Sequence, residues 1–143
     1  MDSYTTGFLR SSLLWLVTGV SFGVAMALHP PWVVYRTAHL HLLLLGFVTM
    51  MISGVAYHVF PRFAATALYS TRLARIHLVL ANIGVVTMAI GFVWRLHDPV
   101  RGGVCLGVGA VAAAGGGYLL AWNLWRTLDH AALMVTRMTA RPG

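Results

Sequence analysis

Apolar residues form four long runs along the chain, at about residues 8–28, 32–60, 72–95 and 102–126. Each run reaches the length of roughly 20 residues that an α-helix needs to cross a bilayer. The breaks between them contain His29-Pro30-Pro31, Pro61 and His97-Asp98-Pro99, and proline is poor at continuing a helix. The pattern predicts an all-α protein in which residues 1–143 form a single four-helix transmembrane bundle with short connections.

The composition agrees with a membrane protein. Charged residues make up 9% of the chain, whereas a soluble domain has about 25%. All ten basic residues are arginines near the ends of the apolar runs, so the net charge of +7 is typical of membrane topology and predicts no nucleic-acid partner. The single cysteine excludes an internal disulfide. The first residues lack a signal-peptide cleavage site, which predicts that the first span is retained.

The arginines also predict the orientation. Seven fall on one side of the bundle (Arg10, Arg62, Arg72, Arg75, Arg126, Arg137 and Arg141) and three on the other (Arg36, Arg95 and Arg101). Because arginine and lysine are enriched on the cytoplasmic side of membrane proteins, we expect both termini in the cytoplasm. The segment after Arg126 is a candidate amphipathic helix at the inner surface.

Histidines inside the apolar runs are the candidate chemistry, because ligand-type side chains in a span are costly and tend to be functional. His39 and His41 are two residues apart in the second run, which places them about 200° apart on a helix. The second helix can therefore present one imidazole to each of two sides. Neutral imidazole is a common ligand for metals and for haem iron, so both are candidate metal or haem ligands. The alternative is a pair of hydrogen-bonded histidines near the interface.

The other histidines differ in depth. His77 in the third run is a candidate ligand, or a packing or proton-carrying residue. His58 lies 19 residues, or about 28 Å, from His39 on a helix, so the two cannot share one metal centre within a chain. Helix capping or contact with lipid headgroups is the expected role of His58. His29, His97 and His130 lie at helix ends and are expected to face water.

Small residues line one stripe of the fourth run, which predicts close helix packing. They are Gly103, Gly107, Ala110, Ala114, Gly117 and Ala121. The third run has a stripe of its own that begins at His77 and ends at Gly91. Some chemistry is excluded: glutamate is absent, the three aspartates lie outside the runs, and one cysteine cannot hold an iron–sulfur cluster. We assign no catalytic residue.

The second run resembles one helix of the haem-copper oxidase catalytic subunit I, closest to the branch of cbb-type oxidases and nitric oxide reductases. The residues that carry the resemblance are His39, His41, Gly46, Phe47, Val48, Met50, Gly54, Tyr57, His58, Pro61 and Arg62. The third run, from Ile76-His77-Leu78 to Asn82-Ile83-Gly84, is similar to the next helix of that subunit. The chain is thereby identified as a short, four-helix member of the superfamily.

The resemblance implies a haem ligand at each histidine of the His-x-His pair. His39 would be the proximal ligand of a high-spin haem, and His41 an axial ligand of a low-spin haem. The family's copper ligands and the partner ligand of its low-spin haem have no counterpart here. A lone chain therefore cannot build a haem–copper dioxygen-reducing centre, and a second axial ligand must come from His29, His97 or another subunit.

The resemblance leads us to expect a membrane-embedded b-type haem protein (cytochrome b-like) of the bacterial inner membrane. It would act as a homo-oligomer, in electron transfer with a respiratory carrier or in binding O2 or NO. Whether it turns over a substrate stays open. Two alternatives remain: a membrane protein that binds copper or another transition metal through the histidines, and a structural or assembly subunit of a respiratory oxidase.

Overall fold

The computed structural model describes residues 2–139, which are almost entirely helical and contain no strand within that range. Four helical segments are long and apolar enough to cross a membrane, as the hydropathy pattern predicts. The first is α1 (Ser3–Leu28), and the third and fourth are α4 (Thr71–Trp94) and α5 (Pro99–Thr139). The second span, Pro30–Phe63, combines a 3-10 turn (Pro30–Tyr35), α2 (Arg36–His41), a π-helical segment (Leu42–Thr49) and α3 (Met50–Phe63).

The turns form where the sequence has helix breakers. His29 closes α1 by donating its backbone N–H to the Ala25 carbonyl, and the 3-10 turn begins at Pro30. Asp98 begins α5, where its Oδ1 accepts the backbone N–H groups of Val100 and Arg101 at 3.1 and 3.0 Å. An aspartate in this place satisfies helix N–H groups that otherwise have no partner. Both these turns lie at one end of the bundle, which we call the far end. The opposite end, with Asp2 and Phe63, is the termini end.

Pro61 does not end the second span, because α3 continues to Phe63. Beyond it, the backbone N–H of Ala65 donates to the Arg62 carbonyl, and that of Thr66 donates to the Pro61 carbonyl. These two bonds close the helix in the manner of a Schellman motif. Ala65 has a φ of +48°, in the left-handed region that favours glycine. The chain then reaches α4, whose N-cap Ser70 accepts the Leu73 N–H at 3.2 Å.

Helices α4 and α5 form a tight hairpin. A Cβ added to Gly91 would lie 2.6 Å from the Leu106 backbone nitrogen, and one added to Gly109 would lie 2.6 Å from that of Met88. The predicted stripe on α4 is the contacting face, since His77, Gly84, Met88 and Gly91 are all buried. Close backbone approach of this kind is the usual way in which helices associate in lipid.

The predicted packing stripe on α5 was wrong for contacts within this chain. The residues of α5 that meet α4 include Leu106, Gly109 and Ala113. The neighbouring stripe points away, because a Cβ at Gly103, Gly107 or Gly117 would have no neighbour within 4 Å. Both faces of α5 carry small residues, and composition alone could not select between them.

Helix α1 contributes to the buried core at the termini end. There Tyr4 and Phe8 pack against Tyr57 in a cluster that also includes Met50 and Ala74. Helix α5 continues as one helix through the segment expected to lie on the membrane surface, up to Thr139. Arg141, one of the seven arginines that predict the orientation, lies outside the described residues.

Candidate functional site

His39 is held against the first span by one hydrogen bond. Its Nδ1 lies 2.9 Å from the carbonyl oxygen of Gly19. Because a carbonyl only accepts, Nδ1 carries the proton and the Nε2 of the neutral ring keeps its lone pair. The ring fits over Gly23, where a Cβ would lie 2.9 Å from the His39 Cε1 atom. Phe22 borders it edge-on, with ring centroids 6.5 Å apart.

His41 has the same tautomer through a different partner. Its Nδ1 lies 2.8 Å from the carbonyl oxygen of Thr37, one turn earlier on the same helix. Its ring packs on Phe92 of α4, with centroids 4.5 Å apart. The two imidazoles thus contact different neighbours, α1 for His39 and α4 for His41.

Neither Nε2 makes a hydrogen bond to any residue in the described range. A histidine that ligates a metal usually donates its other ring N–H to a carbonyl or carboxylate, which fixes the tautomer and orients the ring. Both the His39 and the His41 ring donate Nδ1–H to a backbone carbonyl in this way. Both residues are partly exposed.

An apolar groove of about 490 Å³ lies at the same depth as the two histidines. It runs between α1 and α4 over the Ala38 and Leu42 face of the second span. Phe22 belongs both to the groove and to the surroundings of His39. The volume falls within the range of small-molecule sites, and the walls are hydrophobic as in most of them.

His77 belongs to a separate, buried site. It is 3% exposed, and its Nδ1 lies 3.1 Å from the Tyr57 hydroxyl. Phe8 of α1 covers the ring at a centroid distance of 4.7 Å. On the other side, a Cβ at Gly116 of α5 would lie 2.9 Å from the His77 Cδ2 atom. His77 therefore does not join His39 and His41 in one centre.

The remaining candidates lie apart from both sites. His58 accepts a hydrogen bond from Arg62 Nη1 at its own Nδ1, at 2.9 Å. His29 is exposed and packs edge-on with Trp32, and His97 is exposed at the far end. His130 is exposed near Tyr69. Across residues 2–139, no three side chains of His, Cys, Asp or Glu come together as a metal site.

Two polar links between helices were not predicted. Asn123 of α5 is fully buried and pairs with both backbone groups of Ser70, with its Oδ1 accepting at 2.9 Å and its Nδ2 donating at 2.8 Å. Asn82 of α4 accepts a hydrogen bond from Trp15 of α1 at 3.2 Å. The available signal was an amide side chain inside an apolar run, since such residues hydrogen-bond across helices in membranes.

One family model matches the chain. It describes the cytochrome c and quinol oxidase polypeptide I and matches residues 32–96, which include nearly all of the second span and all of the third, with His39, His41 and His77. Over that stretch the chain is similar to the haem-copper oxidase subunit I family. A search of curated proteins gave no match.

Proposed function

We propose that this chain, as a member of the haem-copper oxidase subunit I superfamily, is a bacterial inner-membrane protein that binds haem b through His39 and His41. The proposal rests on the tautomer and the hydrogen bond that the His39 and His41 rings have in common. Each donates Nδ1–H to a backbone carbonyl and leaves Nε2 without a partner among the described residues. This is the state in which imidazole ligates haem iron.

The surroundings of the rings fit a haem. The groove at the same depth is apolar, and Gly23 leaves α1 without a side chain where it meets the His39 ring. When bound, the haem would supply one-electron chemistry or a site for a diatomic gas. The chain's own share is to orient the imidazoles, keep the site apolar and control access to it.

One chain supplies one imidazole to each side of its second span. A six-coordinate haem then needs a further ligand from His29, His97 or a second copy of the chain. We favour a second copy, because His39 and His41 contact different helices and both remain partly exposed. Symmetric association of identical subunits is the usual way in which small chains complete such a site. The resemblance of the second span suggests a function related to that of the cbb-type oxidase and nitric oxide reductase branch.

The test is an absorption spectrum of protein purified after haem-replete expression, together with a pyridine haemochrome assay. We expect a Soret band and a haem b spectrum. His39→Ala and His41→Ala should each change the spectrum, since each removes one iron ligand. His130→Ala is the matched control, because that ring is exposed near Tyr69 and lies outside the site.

A purified protein without a Soret band would overturn the proposal. So would unchanged spectra in both histidine variants. Metal analysis of the same samples covers the copper alternative, since stoichiometric copper without haem would assign the histidines to copper.

A further inference from the structure

We propose that Tyr57 and His77 exchange protons between the termini end of the protein and the interior of the bundle. The function proposed for His39 and His41 does not use these two residues, and the inference does not depend on haem. Both side chains are buried, at 1% and 3% exposure, and their hydroxyl oxygen and Nδ1 are 3.1 Å apart. Titratable side chains inside a membrane are costly, and they commonly mark proton pathways.

Tyr57 connects this pair to the surface. A cleft of about 400 Å³ opens at the termini end, and Tyr57 forms part of its wall. The same wall carries Asp2, Tyr4 and Arg62. The Tyr4 hydroxyl donates to the Asp2 carboxylate at 2.9 Å, so the cleft contains a proton acceptor beside its aromatic wall.

His77 continues the path inwards. It lines a cavity of about 50 Å³ together with Thr49 and Ser53 of the second span. A water molecule occupies about 30 Å³ in the liquid, so the cavity has room for one. The Ser53 side chain is fully buried and donates to the Thr49 carbonyl at 2.8 Å. The Ser53 hydroxyl oxygen can still accept a hydrogen bond from a water there.

The transfer starts from one tautomer of His77. With the ring proton on Nε2, the Tyr57 hydroxyl donates to Nδ1. When Tyr57 passes its proton to Nδ1, its oxygen takes a proton from a hydronium ion in the cleft, which becomes water. The resulting imidazolium releases the Nε2 proton to water in the cavity. The reverse sequence returns each group to its starting state, so no other reactant is consumed.

Among the described residues, the groups that contact His77 are uncharged. The second span contributes Tyr57, α1 contributes Phe8, and α5 contributes Gly116. The charged residues Asp2 and Arg62 line the cleft together with Tyr57. Protons therefore reach His77 from the cleft through Tyr57.

Deuterium exchange of the carbon-bound hydrogen at histidine Cε1, read by mass spectrometry, tests this directly because the exchange passes through the imidazolium. The full-length protein is incubated in deuterated buffer, and each histidine is measured separately. We expect His77 to exchange measurably, though more slowly than exposed His130. Tyr57→Phe keeps the ring contacts with Tyr4 and Phe8 and removes only the hydroxyl. It should slow exchange at His77 by about tenfold, the scale of one lost hydrogen bond.

Tyr35→Phe is the matched control, because Tyr35 stacks on Phe22 at the far end and should leave His77 unchanged. A second variant, Ala67→Trp, places a large side chain in the cleft while both Tyr57 and His77 keep their own side chains, and it should also slow exchange at His77. No exchange at His77 in the wild type would overturn the proposal, as would a wild-type rate in Tyr57→Phe. A wild-type rate in Ala67→Trp would overturn entry through the cleft. These results hold whether or not the protein contains haem.

Discussion

A single residue can adopt a backbone conformation that its residue type rarely adopts. Ala65 is the clearest case in the described part of the chain, because it has the left-handed conformation without being glycine. That conformation costs about 1–2 kcal/mol for a residue with a Cβ. The helix end that it closes lies directly beside the cleft at Pro61, Arg62 and Thr66.

We predict that Ala65→Gly raises the free energy of unfolding by roughly 0.5–1 kcal/mol, because glycine adopts positive φ without strain. Titration with denaturing detergent, followed by circular dichroism, measures the change. The matched control is Ala64→Gly, one residue earlier at φ −79°, which should destabilise slightly. Equal losses in both variants would show that Ala65 is not strained.

At the residue scale the sequence predicted the placement of two imidazoles but not the contacts of a third. The spacing of His39 and His41 predicted imidazoles on two sides of one helix, and the structure places them against α1 and α4. The pairing of Tyr57 with His77 could not be predicted. It depends on the rotation of two helices about their own axes, which no local pattern specifies.

Among the elements, the α4–α5 hairpin depends on glycine more than any other contact described above. At Gly109 the two backbones are so close that a side chain has no room, whereas Gly107 on the same helix faces open space. The two positions are two residues apart and chemically identical. Comparing the same larger side chain at the two positions therefore isolates its effect on packing between α4 and α5.

We predict that Gly109→Leu destabilises the protein by about 1–3 kcal/mol or more, the cost of overpacking a well-packed interface. Gly107→Leu should stay within about 0.5 kcal/mol, as is usual for a surface position. Unfolding in denaturing detergent measures both. If Gly107→Leu proved as costly as Gly109→Leu, the hairpin would have to pack through the other face of α5.

Hydropathy predicted the helices but not their internal form. Four membrane-length helices follow from length and apolar content, because a bilayer leaves few other ways to satisfy the backbone. The π-helical segment and the continuation of α3 through Pro61 were not predicted. Neither has a residue type that marks it, since both arise from how the helix fits its neighbours.

At the scale of the whole molecule, the far end of the bundle is the incomplete one. The termini end has a cluster of buried aromatic rings, whereas the far end has an apolar groove and two imidazoles whose Nε2 atoms have no hydrogen-bond partner within the part of the chain that the structure describes. A second copy that covers this region would bury the groove and supply the missing ligand. Oligomerisation and haem binding should then depend on each other.

We predict that the haem-loaded protein is larger in solution than its 15.5 kDa chain, after correction for bound detergent. The double variant His39→Ala/His41→Ala should shift towards the single-chain mass, because it removes the ligands that join the copies. Light scattering coupled to size exclusion measures the mass. His58→Ala/His130→Ala is the control and should keep the wild-type mass. An unchanged mass in the first double variant would exclude haem as the link between copies.

The π-helical segment between His41 and Met50 has a consequence for chain length. Here Thr49 Oγ1 donates to the carbonyl of Leu44, five residues earlier, at 2.8 Å. A π turn is an α-helix that has absorbed one extra residue. Deleting one residue from 42–49 should convert the π-helical segment into regular α-helix. His39 and Tyr57 should then keep their present partners. The same deletion within α3 would rotate every residue on one side of it by about 100°. The second span therefore contains one residue more than a regular α-helix of the same length would need. This extra residue lies between the level of His39 and the level of Tyr57, so the rotation of one level about the helix axis can differ from that of the other.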